Sequence, residues 1–431
     1  MKKKLLIIGN SAAGTGAVEA IRRRDRESSI TIVTDEDYPV YSRCLLSYFL
    51  AGKIDESRLQ IRPPNFHREM DAELLAGKKV VSVDPAQQQI ECGDGTRLNY
   101  DRLLIATGGS PKIPANIPSG LDGVFVLRTV ADAQAIMKRS ATARNAIVLG
   151  GGLVGMKAAF ALAHRGLKVA VVVRSRHVLS QMIDLDAAQI VEGRLRANGI
   201  EVLTGIDVTS VEEAGGKLVA AKTDDGKTLP CEILIAAKGV EPNKQFTDGT
   251  GIEQRSGIVT NARLQTNLEN IYAAGDVAET YDIATERHDI NALWTCAVQQ
   301  GKIAGLNMAG DAREYDGSIG MNSINFPGAD LISFGVVRPE KDAGYEVLTD
   351  NRPQAGIYRK LVLKDNRIKG LILVNRIDNA GVLLSLLGRK VDVSGFKDEL
   401  LSDRFNYAQV LGHGGREEWQ RFWNAGHAVR S

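Results

Sequence analysis

The sequence KLLIIGNSAAG, from Lys4 to Gly14, is the strongest indication of the fold of the first part of the chain. An apolar run leads directly into a turn of small residues, and a helical pattern continues to Arg24. The stretch AIVLGGGLVG, from Ala146 to Gly155, repeats this pattern. A short apolar run followed by a small-residue turn and a helix is typical of a parallel βαβ unit. The chain therefore contains this unit twice.

Each copy later reaches a matching apolar run that ends in glycine. These runs are LLIATGG, from Leu103 to Gly109, and ILIAAKG, from Ile233 to Gly239. The pattern predicts an α/β fold with two Rossmann-like domains. Two nucleotides held in one chain are what an enzyme needs to pass electrons from one cofactor to another.

The bulk composition limits the classes of function. The chain has 431 residues, enough for two or three domains, and its formal net charge is only +2. There is thus no broad electrostatic case for binding nucleic acid or a membrane, and no apolar stretch reads as a membrane span. The cysteines form no C-x-x-C pair and the histidines show no ligand spacing, so we expect no metal. Four scattered cysteines fit a reducing compartment, which favours a cytoplasmic protein. They are Cys44, Cys92, Cys231 and Cys296.

From about residue 319 onward the pattern changes to short strands followed by a helix around Gly381–Leu387. This predicts a separate C-terminal α+β domain. Near the end of the chain Trp419, Phe422 and Trp423 lie on one face of a predicted helix. That face either packs on the parent domain or forms a docking surface for a partner.

The glycines of both turns suit a dinucleotide pyrophosphate, which must approach the backbone closely at a helix N-terminus. The second copy has all three glycines of the G-x-G-x-x-G pattern, Gly150, Gly152 and Gly155. The first copy has Gly9 and Gly14, with Ser11 between them. A plain tight turn would also tolerate small residues, but the strand, the helix and the repetition favour nucleotide binding.

An acidic residue about 20 positions after the turn normally binds a ribose hydroxyl. Asp35, with Glu36 beside it, is placed for this in the first copy; the alternative is a solvated turn carboxylate. The second copy has Arg174 and Arg176 there instead of an acid. Arginine suits a 2′-phosphate, which tilts the expectation slightly towards NADP, although a solvent-facing arginine after a strand is common.

On these motifs the chain resembles the FAD/NAD(P)-dependent class I pyridine nucleotide–disulfide oxidoreductases over nearly its whole length. The resemblance implies FAD and NAD(P)H as cofactors, with Asp276 at the flavin ribityl chain. It implies FAD contacts from three matched segments, and NAD(P) contacts from the second turn. The implied FAD residues are Gly9, Ser11, Ala13, Gly14, Asp35, Glu36, Arg43, Val80, Ala106, Thr107, Gly108, Gly275, Asp276, Leu293 and Trp294. The implied NAD(P) residues are Gly150, Gly152, Leu153, Val154, Gly155, Arg174 and Gly239.

Cys44 is the residue on which the subfamily depends. It is similar in position to the single redox cysteine of coenzyme A-disulfide reductases and of NADH oxidases and peroxidases. However, Tyr41-Ser42-Arg43 followed by Leu46-Ser47 also resembles a segment of rubredoxin reductases and nitrite reductase flavin domains. Those proteins need no cysteine there, and their arginine touches FAD. Cys44 is therefore either a catalytic thiol or an inert one.

Two departures from the family bear on this choice. Ala12 stands where the peroxidases and oxidases have an active-site histidine, and Lys157 stands where the family usually has a glutamate. Without the histidine base, reduction of peroxide or oxygen of their type is not expected. The lysine changes the charge expected near the nicotinamide.

The resemblance implies an FAD-binding domain of residues 1–111 and 246–318. An NAD(P)-binding domain, residues 112–245, is inserted in it, and residues 319–431 form an interface or dimerisation domain. The implied enzyme carries electrons between NAD(P)H and a protein electron carrier of the iron–sulfur or rubredoxin type. It acts as a homodimer or as the flavin subunit of a larger complex, similar to that of a phenylglyoxylate dehydrogenase. The alternative is a coenzyme A-disulfide or polysulfide reductase, or an NAD(P)H oxidase, that uses Cys44. A third reading is a flavoprotein kept for assembly rather than catalysis.

Overall fold

The structure is a computed structural model and describes residues 2–406. The strands are, in chain order, β1 Lys4–Ile8, β2 Ser29–Val33, β3 Ala72–Leu75, β4 Val80–Asp84, β5 Gln89–Cys92, β6 Arg97–Asn99, β7 Arg102–Ile105, β8 Gly109–Pro111, β9 Val124–Phe125, β10 Asn145–Leu149, β11 Lys168–Val173, β12 Ile200–Thr204, β13 Val208–Ala214, β14 Lys217–Thr223, β15 Thr228–Pro230, β16 Ile233–Ala236, β17 Val240–Pro242, β18 Ile258–Val259, β19 Ile271–Ala273, β20 Ala278–Asp282, β21 Arg287–Asp289, β22 Met321–Phe326, β23 Ala329–Gly335, β24 Tyr345–Arg352, β25 Ile357–Lys364 and β26 Arg367–Val374. The α-helices are α1 Ala12–Arg24, α2 Leu46–Leu50, α3 Phe66–Glu69, α4 Val130–Ser140, α5 Leu153–His164, α6 Leu185–Ala197, α7 Trp294–Met308 and α8 Ala380–Gly388.

The first repeated unit builds a parallel sheet in the order β19-β7-β1-β2-β3. Four of the five residues of β1 are buried, as expected of a strand covered on both faces. Helices α1 and α7 pack closely together because glycines face the α1 backbone. A Cβ on Gly301 would lie 2.0 Å from the Ala13 oxygen, and one on Gly305 would lie 2.5 Å from the Ala17 oxygen.

The second unit has the same architecture. Its parallel sheet has the order β12-β11-β10-β16-β9. Helix α5 follows β10 as α1 follows β1, and the small antiparallel sheet β13-β14-β15 contributes to the hydrophobic core of the unit. The two-stranded ribbon of β8 and β17 carries the chain between the two lobes.

The described chain forms two compact units. One contains residues up to Arg176 together with Asn198–Ser318, and it holds both parallel sheets. The other contains His177–Ala197 together with residues from Ile319 onward. The predicted partition into three domains remains a prediction.

The compact unit that contains the C-terminal residues is built on the antiparallel sheet β22-β23-β26-β25-β24, with α8 packed on β26. The segment that carries α6 is held to this sheet by polar contacts. The Asp184 carboxylate accepts hydrogen bonds from the Tyr358 hydroxyl at 2.7 Å and from Lys360 Nζ at 2.9 Å. Burial raises the pKa of Tyr358, so this hydroxyl remains a donor.

The predicted α/β class, with two dinucleotide lobes and a C-terminal α+β region, is confirmed. The helix predicted around Gly381–Leu387 is α8, one residue longer at each end. Among the described residues no helix is both long and apolar enough to cross a membrane. The aromatic residues Trp419, Phe422 and Trp423 lie outside the described residues.

Candidate active site

The turn after β1 can be made only with glycine at two places. Gly9 has a φ of +115°, and a Cβ there would lie 2.2 Å from the Ala106 oxygen. A Cβ on Gly14 would lie 1.9 Å from the Gly9 oxygen. Ser11 caps α1, and its carbonyl accepts from Thr15 N at 2.9 Å. The first turn of α1 is thereby drawn against β1 and β7, and its N-terminal N–H groups lie at the carboxyl end of the sheet.

The turn after β10 reproduces this geometry. Gly150 has a φ of +125°, and a Cβ there would lie 2.3 Å from the Ala237 oxygen. A Cβ on Gly155 would lie 2.1 Å from the Gly150 oxygen. Gly152, the N-cap of α5, differs because a Cβ on it would have no neighbour within 4 Å. Open space above a helix N-terminus is what an approaching pyrophosphate requires.

The remaining residues predicted for the second lobe lie around the same edge of its sheet. Leu153 begins α5, and the side chain of Val154 beside it is exposed. Arg174 is the first residue after β11 and is exposed, and Gly239 is an exposed glycine after β16 with a φ of +95°. The structure therefore places all of these residues at the carboxyl end of one parallel sheet.

A polar network joins Glu36, Tyr41 and Arg43 at the corresponding edge of the first lobe. Tyr41 donates its hydroxyl proton to Glu36 at 2.7 Å, and Arg43 forms an ion pair with Glu36. Arg43 Nη1 also donates to the Tyr41 hydroxyl at 2.9 Å and to the Arg128 carbonyl at 2.7 Å. Asp35 is exposed, and its negative charge is one of the influences that raise the pKa of Arg43. Glu36 is thus committed to Arg43, and Asp35 is left accessible for another partner.

The electrostatics of this network keep Arg43 charged. Burial alone would lower the pKa of Arg43, but the neighbouring Tyr41 and Glu36 raise it above its ordinary value. Burial raises the pKa of Tyr41 despite the opposing charge of Arg43, and the hydrogen bond to Glu36 raises it further. Burial and then the positive charge of Arg43 lower the pKa of Arg128. The site therefore holds two partly buried guanidinium groups close together, an arrangement suited to an anionic ligand.

Asp276 lies at the turn after β19, where Gly275 has a φ of +83°. Its carboxylate is 3.5 Å from Arg128 Nη2. The turn is fixed from below because the N–H of Gly275 donates to Gln300 Oε1 at 2.8 Å, and Gln300 is buried. Strand β19 pairs with β7, so Asp276 lies at the same edge of the sheet as the glycine turn.

Thr107 and Gly108 lie where the chain leaves β7 for the second lobe. Thr107 Oγ1 donates to the Asn243 carbonyl at 2.7 Å, and Asn243 Nδ2 donates back to the Thr107 carbonyl at 3.0 Å. The outgoing and returning segments between the lobes are thereby tied together. Ala106 is buried, and its carbonyl contacts the place where a Cβ of Gly9 would lie.

The other predicted flavin residues are spread over the first lobe. Val80 begins β4 and is buried. Ala13 is buried in α1, and its Cβ would lie 3.3 Å from a Cβ on Gly275. Leu293 and Trp294 begin α7, and Trp294 is half-buried against the core of the first lobe.

Cys44 is the one exposed cysteine; the other three are buried, and all four are free. Burial raises the pKa of the three buried thiols, that of Cys231 to about 12. These three thiols are therefore poor nucleophiles. Cys44 lies in a short 3-10 helix, Arg43–Leu45, next to the guanidinium network.

Three further residues at this site, Arg128, Gln300 and His67, were not predicted from the sequence. Arg128 gave no signal except its place directly before the capping box of Thr129 and Asp132. Gln300 gave no signal within the helical pattern of α7, and its role is to accept a hydrogen bond from the N–H of Gly275. His67 lies with its Nε2 at 2.9 Å from Asn10 Oδ1 in the first glycine turn.

The proteins to which this chain is similar are nucleotide-dependent oxidoreductases, in agreement with the two glycine turns. Residues 3–301 match the family described as pyridine nucleotide-disulphide oxidoreductase. The chain belongs to this family. Residues 321–391 match the family described as rubredoxin NAD+ reductase C-terminal domain. As a member of the family, the chain is an FAD-dependent NAD(P)H oxidoreductase, as the sequence analysis predicted.

Two relatives and one solved structure illustrate the match. The chain is 34% identical over 408 residues to the NADH-dependent phenylglyoxylate dehydrogenase subunit epsilon of Aromatoleum evansii, covering 93% of this chain and 95% of that protein. It is 30% identical over 402 residues to the assimilatory nitrate reductase electron transfer subunit of Bacillus subtilis, covering 93% of this chain and 51% of that protein. The structure of an NAD-dependent persulfide reductase from A. fulgidus superposes with a TM-score of 0.85 at 26% identity, over 94% of this chain and 79% of that one.

The two turns fit the cofactors of the family. Glycines that no larger residue could replace draw each helix N-terminus against its sheet, and Arg43 and Arg128 supply positive charge in the first lobe. When bound, FAD supplies two-electron acceptance from a nicotinamide and one-electron release. The protein supplies binding, orientation and a partly buried setting for that chemistry.

Proposed function

We propose that this chain transfers electrons from NAD(P)H, through FAD, to a protein electron carrier of the iron–sulfur or rubredoxin type. One NAD(P)H gives up a hydride and becomes NAD(P)+. Two carrier molecules then take one electron each, and one proton is released. The chain works as a homodimer or as the flavin subunit of a larger oxidoreductase, such as a 2-oxoacid dehydrogenase.

The main support for this proposal is that the cysteines form no disulfide and only one of them is exposed. Both dinucleotide turns are present, yet the one exposed thiol has no thiol partner, because the other three cysteines are buried and free. An internal dithiol acceptor is therefore absent from the described residues, all four cysteines being among them. Electrons that reach the flavin site must leave to an external acceptor. The similarity to an electron transfer subunit and the rubredoxin reductase-type C-terminal region supports a protein acceptor.

We assign the first lobe to FAD, as residues 1–111 with 246–318, and the second lobe to NAD(P), as residues 112–245. The glycine turns and Arg43, Asp276 and Thr107 are the proposed flavin contacts on the grounds of their shared position. The exposed Asp35, rather than Glu36, is the proposed ribose ligand because Glu36 is paired with Arg43. Four free cysteines support a cytoplasmic location.

An alternative acceptor is a coenzyme A disulfide, persulfide or polysulfide attacked by Cys44. Two observations favour it: Cys44 is exposed, and the persulfide reductase structure is similar. A thiolate at this position would form a mixed disulfide with the acceptor and release the first thiol. The flavin would then return two electrons to that bond.

The experiment that separates the two is an acceptor screen with the wild-type chain and Cys44→Ser. The FAD-loaded protein is reduced anaerobically and mixed with ferredoxin, rubredoxin, coenzyme A disulfide or polysulfide. The proposal expects rapid reoxidation by a protein carrier, unchanged in Cys44→Ser. Reoxidation only by the sulfur compounds, lost in Cys44→Ser, would establish the alternative instead.

A further inference from the structure

Lys238 occupies the position in the second lobe that Thr107 occupies in the first. The backbone contacts around the leading glycine of each turn, Gly9 and Gly150, are the same in the two lobes. A Cβ on Gly9 would lie 2.2 Å from the Ala106 oxygen and 3.5 Å from Thr107 N. A Cβ on Gly150 would lie 2.3 Å from the Ala237 oxygen and 3.4 Å from Lys238 N. The backbone of Lys238 therefore passes directly over the glycine turn of the second lobe.

The place of this residue in the sheet is also that of a ligand-binding residue. Lys238 comes two residues after the end of β16, which pairs with β10 in the order β12-β11-β10-β16-β9. The strands that follow β10 in the chain, β11 and β12, lie on one side of it, whereas β16 lies on the other side. In open parallel sheets the ligand crevice lies at this point, outside the carboxyl ends of the strands.

The side chain of Lys238 forms an ion pair with an acidic residue, Asp207. Its Nζ lies 2.7 Å and 2.8 Å from the two oxygens of Asp207. Asp207 follows β12, so the ends of β10 and β11 lie between the strands that carry the two residues. Both side chains are half-buried, with 22% and 23% of their surface exposed. The residue whose backbone borders the glycine turn thus carries a partly buried ammonium group that is paired with a carboxylate.

We propose that Lys238 is a coenzyme-binding residue that contacts a phosphate of NAD(P), and that Asp207 competes with this phosphate for the ammonium group. A lysine ammonium is a compact, mobile point charge that suits phosphate oxygens. Asp207 pairs with the ammonium group and thereby lowers its availability to another anion. The inference rests on the NAD(P)H dependence of the chain and assigns a new residue to that site.

The two partners are expected to act in opposite directions. Lys238→Met removes the cation and weakens binding of NADP+ by about tenfold, the usual scale for losing a hydrogen bond to a charged group at a partly exposed site. Asp207→Asn keeps the oxygen that accepts from Val208 N at 2.9 Å but removes the competing charge. It therefore tightens binding by about threefold.

The test measures dissociation constants of NADP+ and NAD+ by titration calorimetry on the FAD-loaded full-length chain, at low and high salt. Lys222→Met is the matched control, because Lys222 forms an ion pair with Glu212 at 2.9 Å on the exposed part of the same lobe. Its dissociation constants are expected to equal those of the wild type. The expected result is weaker, less salt-dependent binding in Lys238→Met and tighter binding in Asp207→Asn.

Equal or weaker binding in Asp207→Asn would overturn the proposal, because a purely structural ion pair loses stability from either side. If Lys238→Met does not fold, Asp207→Asn alone decides the question. A wild-type chain that binds neither coenzyme would instead defeat the proposed function, so the two failures are distinguishable.

Discussion

Alanine at Gly150 and at Gly152 should separate the folding role of the second turn from its binding role. Gly150 has a φ of +125°, and a Cβ would lie 2.3 Å from the Ala237 oxygen. The backbone strain alone costs about 1–3 kcal/mol, and the clash forces the ends of β10 and β16 apart. Gly152 has a φ of −81°, and its Cβ would meet nothing within 4 Å. Gly152→Ala therefore leaves the fold intact, because the gain of about 0.4–1 kcal/mol from a less flexible unfolded chain is offset by the loss of a favoured N-cap residue.

Although Gly152→Ala is expected to leave folding intact, it should weaken binding of the coenzyme. The new methyl group stands in the space above the N-terminus of α5, where a pyrophosphate must approach. Loss of one hydrogen bond to a charged group costs about 1.5–3 kcal/mol, which raises the dissociation constant about 10- to 150-fold. Urea unfolding and calorimetric titration with NADP+ measure the two effects separately. Wild-type affinity in Gly152→Ala would refute the assignment of this turn to the coenzyme.

Further variants test the first lobe. Asp35→Asn is expected to weaken FAD binding about tenfold by removing a charged hydrogen-bond acceptor, whereas Glu36→Gln should act through the loss of its ion pair with Arg43; equilibrium dialysis of FAD checks both, and a normal affinity in Asp35→Asn contradicts the ribose assignment. Gln300→Met removes the acceptor of the buried Gly275 N–H, which costs about 1–3 kcal/mol. It should lower the free energy of unfolding and speed flavin release in parallel, and an unchanged release rate would show that this turn does not hold the flavin.

The repeated unit could be predicted from sequence because its signals are local. An apolar run and glycines at fixed spacing report a buried parallel strand and a turn with positive φ. Gly9 and Gly150 have that conformation, and in both copies a Cβ on the last glycine of the pattern, Gly14 or Gly155, would clash with the carbonyl oxygen of the first. Even Ser11, a departure from the glycine pattern, fits as the half-buried N-cap residue of α1, where its carbonyl accepts from Thr15 N at 2.9 Å.

The contacts that complete the site could not be predicted because they join distant parts of the chain. Arg128 meets Asp276 across 148 residues, and Lys238 meets Asp207 across 31. No periodicity or spacing encodes such a pair. From the local sequence, the segment around Lys238 is predicted only as the end of a strand.

The grouping of residues 177–197 with the C-terminal sheet was invisible for the same reason. Helix α6 continues the alternating pattern of the second lobe in sequence. In the structure the helix packs against β23 and β25, and the preceding Asp184 accepts hydrogen bonds from Tyr358 and Lys360, which are 174 and 176 residues away. Contacts between distant parts of the chain therefore accompany the packing of a locally ordinary helix.

Electron transfer from NAD(P)H to the flavin is tested most directly by anaerobic mixing of the purified, FAD-loaded chain with NADH or NADPH while the visible flavin absorbance is recorded. Transfer between two dinucleotides held in one chain requires that the flavin band bleach rapidly with at least one coenzyme and return when a one-electron protein carrier is added. A chain that binds no flavin, or a bound flavin that stays oxidised with both coenzymes, would contradict it.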